Sequence, residues 1–301
     1  MKKCASRSRN CAKRRLNYRV LAMKRRITDK ATGFRTQDGA GVSLVRVLGK
    51  TTVKIFDPIL MLDSFDSENP ENYTAGFPLH PHRGIETISW IVKGNMVHRD
   101  SLGNEDGISD GEVQWMTAGS GIMHEEKLPA SERMLGVQLW LNMPAKDKMS
   151  SPAYHKIKRE EIEAIPIEGG VLRLISGTYQ GHAGFQGKHL PLDYYDISLD
   201  PGAKCIIETG REKSVMVFLL LGRAKVAGEV VAEKTAVKLS DGDSVELEAL
   251  HEKAELLFMS SDKLEEPVSW GGPIVMNTRT ELQNAFDELD KGTFLKEKVD
   301  Y

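Results

Sequence analysis

From Gly41 onward the chain is a succession of short β-rich runs separated by turn residues, and this rhythm constrains its fold more than any other feature. The runs VSLVRVLG, KTTVKIFDPILMLDSF, GIETISWIVKG, VQWMTAG and GVQLWLNMP occupy the first half. Strands of this length and spacing form a sandwich or a barrel. The pattern resumes in VLRLISG, DYYDISLD, AKCIIETG, SVMVFLLLG, AKVAGEVV, AVKLSDGDSVELEA and AELLFMSS, with tight turns at DPGAK and SDGDS. The second half therefore reads as a duplicate of the first. Between them, residues 144–166 lose the alternation and gain charge and proline, which predicts a domain boundary. A chain of 301 residues is long enough for two cores. The expected organisation is all-β: a basic extension over residues 1–27, a domain over 28–150 and a second over 151–301. At the end, Leu282, Ala285, Phe286 and Leu289 fall at helical spacing behind Thr280, which predicts one short helix, capped by Thr280 and packed on a barrel.

Charge separates the head from the body. Residues 1–27 carry eleven Lys or Arg and no acid, so the remainder holds 30 basic against 43 acidic residues, a balance of −13. Such an arm reads first as a solvated tail or as sequence ahead of an internal start at Met23; contact with nucleic acid or an organelle address are the functional alternatives. Nucleic acid is not expected as a partner of the body. No window approaches the roughly 18 unbroken apolar residues of a membrane helix, and VMVFLLLG from Val215 reads as one buried strand. No secretory apolar core is present near the N-terminus, so the expectation is cytoplasmic, with nuclear or plastid placement depending on the arm. Cys4, Cys11 and Cys205 show no CxxC spacing, which argues against a disulfide framework or a thiolate zinc site.

The chemistry is concentrated in two short motifs. In HPHRGIET, His80 and His82 stand two apart, a spacing that points both imidazoles to one face of a strand. The preceding stretch at residues 67–78 reads as a loop that delivers them to a barrel mouth. In GSGIMHEE, His124 and Glu126 repeat the spacing after a glycine-rich approach. Two facing pairs make a four-ligand metal cage. Glu125 neighbours His124 but points to the opposite face. Three imidazoles and a carboxylate suit Fe, Mn, Co, Ni, Cu or Zn by softness alone. His98 reads as a structural, supporting or substrate-facing group, and Glu86 as a hydrogen-bonding residue near the site. Trp90, Trp115 and Trp140 are expected in the core, and His155, His182, His189 and His251 lack a partner spacing.

HPHRGIET, VQWMTAGSGIMHEE, GVQLWLN and the late GPIVMNT together resemble the pirin family, over roughly residues 40–290. The resemblance implies two stacked barrels of the cupin (double-stranded β-helix, jelly-roll) type, with iron in the N-terminal barrel only. It carries the ligands over to His80, His82, His124 and Glu126, and it demotes Glu86, which stands where other cupins place a ligand. The segment ETGREKS lacks a histidine pair, so no metal is expected in the second barrel. Glu125 and Lys127 depart from the family pattern and imply a more charged rim. The activity implied is that of a quercetin 2,3-dioxygenase, with a flavonol-like molecule and dioxygen as substrates and Glu126 as the catalytic carboxylate. The alternative is a transcriptional co-regulator whose iron oxidation state alters contacts with a protein partner.

Overall fold

A computed structural model describes residues 23–297; residues 1–22, which hold most of the basic extension with Cys4 and Cys11, lie outside the described residues. The β-rich runs form two cupin barrels, each built from a seven-stranded and a four-stranded antiparallel sheet. In the N-terminal barrel the smaller sheet is ordered Phe77–His82, Ile122–Lys127, Asn95–Asp100, Glu105–Ser109. In the C-terminal barrel the corresponding order is Lys204–Glu208, Ser244–Ala249, Ala224–Val226, Glu229–Val231, so the halves share one topology. Part of KTTVKIFDPILMLDSF is not strand: Val53–Phe56 is a helical turn, and the strand starts at Ile59, after Pro58, which has no N–H to give a ladder.

Two strands lie across the expected domain limits. Ile27–Thr32 forms the edge of the C-terminal seven-stranded sheet beside Thr235–Leu239, and Ala153–Ile157 forms the edge of the N-terminal one beside Glu112–Thr117. Between the barrels, Ile88, Trp90, Val137 and Leu139 pack against Met216, Phe218 and Leu257 in the largest apolar cluster. The two barrel interiors differ in chemistry. Ile207, Val217, Val245, Leu247 and Phe258 belong to an apolar cluster in the second, whereas the first buries Asp63, Ser89, Gln114, His124, Glu126 and Gln138.

The C-terminal segment returns to the first barrel. A hairpin of Ser269–Gly271 and Ile274–Met276 bridges to Arg83, and helix Arg279–Asp290 packs Ala285 and its apolar neighbours on that hairpin and on Phe294. The helix cap is Thr278, not Thr280: the Thr278 hydroxyl accepts from the Glu281 N–H, and the Glu281 carboxylate accepts from the Thr278 N–H in return. Among the described residues, no helix is long and apolar enough to cross a membrane.

Candidate metal centre

Strand alternation assembles the centre. In the antiparallel pair Phe77–His82 and Ile122–Lys127, His124 stands opposite His80 and Ile122 opposite His82. The His80, His82 and His124 rings lie 4.3 to 5.0 Å apart between centroids. His80 Nδ1 faces the Pro78 carbonyl at 2.8 Å, and His82 Nδ1 faces the Pro273 carbonyl at 2.9 Å. Carbonyl oxygens only accept, so both Nδ1 atoms carry the hydrogen and each neutral ring turns a lone pair outward at Nε2.

Those two Nε2 atoms face each other at 3.1 Å. Two lone pairs at that separation repel unless a cation lies between them. Burial, and then the neighbouring His80, push the His82 imidazole down to about 3, which disfavours a shared proton as that cation. A metal ion fits better, because adjacent nitrogen ligands each about 2.1 Å from an ion are roughly 3 Å apart. His124 supplies a third donor: its Nε2 is buried without a hydrogen-bond partner. Burial, then His82, His80 and His98, hold the His124 imidazole well below its ordinary value and keep it neutral.

Glu126 is held differently. Its Oε1 accepts from Gln114 Nε2 at 2.9 Å and Gln138 Nε2 at 3.0 Å, and Oε2 accepts from Gln138 at 3.1 Å. Its carboxylate groups with His98 and His124 within 4.8 Å, whereas the other such cluster among the described residues is His80, His82 and His124. The structure thus gathers the three predicted histidines tightly and sets Glu126 beside His124 on a pair of glutamines. Glu125 stays half-exposed, 3.8 Å from Lys127.

Glu86 is not beside the centre. It shares a strand face with Ile88 and Trp90, which belong to the inter-barrel cluster, and there it accepts from the Thr117 hydroxyl at 2.6 Å. Trp90 and Trp115 fill the core. Trp140 is more than filler: its ring meets His82 edge-on at 4.9 Å. Elsewhere His155 stacks on Phe185, His182 pairs with Glu163, His189 approaches Ser150 and His251 is exposed.

The centre opens on a cavity of about 570 Å³ lined by Phe77, Trp140 and Trp270 as well as His80, His82 and Glu126. Trp270 and Pro273 come from the returning hairpin. In the sequence only the GPIVMNT signature marks that segment, and no spacing links it to residues 190 positions earlier. Gln114 and Gln138 carried a readable signal, being amides inside the apolar runs EVQWM and GVQLW.

The pirin family profile matches residues 41–141, and that of the pirin C-terminal cupin domain matches residues 194–295. A pirin-like protein of Caulobacter vibrioides is 41% identical over 267 residues, covering 87% of this chain and 96% of the relative. The chain belongs to the pirin family. Human pirin is 34% identical over 272 residues, covering 88% and 92% of the two chains. A crystal structure of quercetin 2,3-dioxygenase from Acinetobacter baumannii superposes with a TM-score of 0.84 at 30% identity, covering 90% of this chain and 98% of that one. The second pirin match runs past the C-terminal barrel into the hairpin and helix that support His82.

Proposed function

We propose that the N-terminal barrel holds one iron ion through His80, His82 and His124, with Glu126 as fourth donor, and that the protein opens the ring of a flavonol with dioxygen, releasing carbon monoxide. The observation that carries this reading is the cluster of His80, His82 and His124, of which His80 and His82 line an aromatic-walled cavity. The cavity is in the size range of small-molecule sites. Likeness to the Acinetobacter baumannii quercetin 2,3-dioxygenase supports the substrate class.

When bound, iron supplies Lewis acidity that favours the ionised 3-hydroxyl of a flavonol, and redox chemistry toward dioxygen. The three histidines only hold it. Trp140 and Trp270, with ring centroids 5.6 Å apart, offer flat walls for a planar substrate. Glu126, which lines the cavity, would accept the 3-hydroxyl proton and become a carboxylic acid, and Gln114 and Gln138, which donate to its Oε1, hold the carboxylate in place beforehand. The test is quercetin turnover by iron-loaded protein under oxygen, followed by flavonol absorbance and released carbon monoxide. Glu126→Gln is expected to lower the rate about 100-fold or more, the usual contribution of a positioned base. No ring-opened product from iron-replete wild type would overturn the activity.

A further inference from the structure

We propose that Asp100 and His98 form a hydrogen-bonded relay that fixes the ring tautomer of His124, so that His124 presents Nε2 to the metal. The inference rests on the metal-centre reading above and assigns His98 and Asp100 as positioning residues. In the antiparallel pair Asn95–Asp100 and Ile122–Lys127, His98 stands opposite Glu126 and Asp100 opposite His124. Alternation turns all four side chains to one face, where all four are buried.

Donor and acceptor chemistry then runs in one direction. Asp100 Oδ1 accepts the backbone N–H groups of Leu102 at 2.8 Å and Asn104 at 3.1 Å. Asp100 Oδ2 lies 2.9 Å from His98 Nε2 and 2.9 Å from Asn104 Nδ2. A carboxylate only accepts, so His98 Nε2 carries the hydrogen. The lone pair of a neutral His98 is then at Nδ1, 3.4 Å from His124 Nδ1. That contact is a hydrogen bond only when His124 carries its hydrogen at Nδ1. His124 Nε2 is left as a lone pair, and it is the buried atom without a partner. Tyr154 fixes the plane of the His98 ring by stacking at 4.5 Å and 17°. A carboxylate that orients a metal-bound histidine is familiar; here a second imidazole stands between them.

Asp100→Asn inverts the relay. Two backbone N–H groups hold Oδ1 as an acceptor, so the new amide nitrogen takes the place of Oδ2 and donates to His98 Nε2. His98 must then donate from Nδ1, and His124 must accept there, which puts a hydrogen on Nε2 where the ion should bind. His98→Gln preserves the original direction, because its amide donates to Asp100 and its oxygen accepts from His124. His98→Leu removes the acceptor.

The experiment uses the full chain with Zn(II) as a diamagnetic probe at pH 8, combining ¹⁵N ring spectra with titration against a competing chelator. The expected result is one zinc per chain, His124 hydrogen at Nδ1 and zinc at Nε2. Affinity is expected to fall about 10–100-fold in Asp100→Asn and His98→Leu and to be retained in His98→Gln, the range seen when partners of metal ligands are lost. Zinc at His124 Nδ1, a second zinc lost with His98→Leu, or wild-type affinity in Asp100→Asn would overturn the relay. If the wild type takes up no zinc, the metal centre is lost and the relay is judged on the metal-free ring: hydrogen at His124 Nδ1 supports it, and hydrogen at Nε2 overturns it. If the variants do not fold, the wild-type ring spectrum decides.

Discussion

At the scale of single residues, each group around the centre owes its state to the partners packed against it. His82 exposes a lone pair because the Pro273 carbonyl can only accept, and Glu126 stays solvated inside a barrel because two amides donate to it. Gln138→Leu should therefore be costly although it adds apolar surface. It leaves a buried carboxylate with one donor in place of two, a loss of about 1–3 kcal/mol. Chemical denaturation of metal-free protein measures this, and a variant as stable as wild type would show that Gln138 does not support Glu126. No ligand pattern contains Gln138; its place as an amide inside an apolar run marks it in the sequence, and its burial beside Glu126 gives it a role.

At the scale of elements, the returning hairpin is locked to the ligand strand. Gly84 adopts φ +77°, and a Cβ there would come within 2.0 Å of the Val275 carbonyl. Gly84→Ala is expected to push the hairpin away and lower zinc retention together with thermal stability, read by metal analysis and thermal unfolding. The buried Lys148 ammonium joins the same pieces, donating to Gly84 O at 2.7 Å, Asn142 Oδ1 at 2.7 Å and Val275 O at 3.1 Å. Burial pushes Lys148 down to about 7, against the opposing pull of Glu266 and Glu281. A lysine depressed in the folded state costs stability wherever the unfolded chain keeps its proton, from below pH 7 up to the unfolded value. The cost fades as pH rises, so this residue should add about 2 kcal/mol to stability between pH 7 and 9. Lys148→Met should flatten that rise, and an unchanged pH profile in the variant would exclude Lys148 as its source.

At the scale of the whole molecule, the barrels are interlaced rather than strung together. The N-terminal strand Ile27–Thr32 completes the second barrel, and the buried Arg25 beside it donates to Thr209 Oγ1 and to the carbonyls of Gly210, Lys213 and Ser240. The C-terminal hairpin completes the first barrel. Removing residues 1–33 should thus lower the melting temperature by about 5 °C or more, yet leave zinc stoichiometry unchanged, because the cut strand pairs with the barrel remote from the histidines. Ending the chain at residue 267 should do the converse and abolish zinc retention. Thermal scans with metal analysis on both truncations check the pair, and the opposite pattern would refute the exchange of supports.

The all-β character, the duplication and the spacing of His80, His82, His124 and Glu126 were legible in the sequence, because strand periodicity is local and a two-residue step places side chains on one face whatever lies around them. His98-x-Asp100 has the same step and was open to the same reading. Glu86 was misplaced because the step tells which residues share a face but not which face turns inward. The exchange of edge strands, the Pro273 carbonyl behind His82 and the glutamines beneath Glu126 join positions far apart in the chain. Only packing decided them, since contact between distant segments depends on the sum of many buried surfaces and leaves no period in the chain itself.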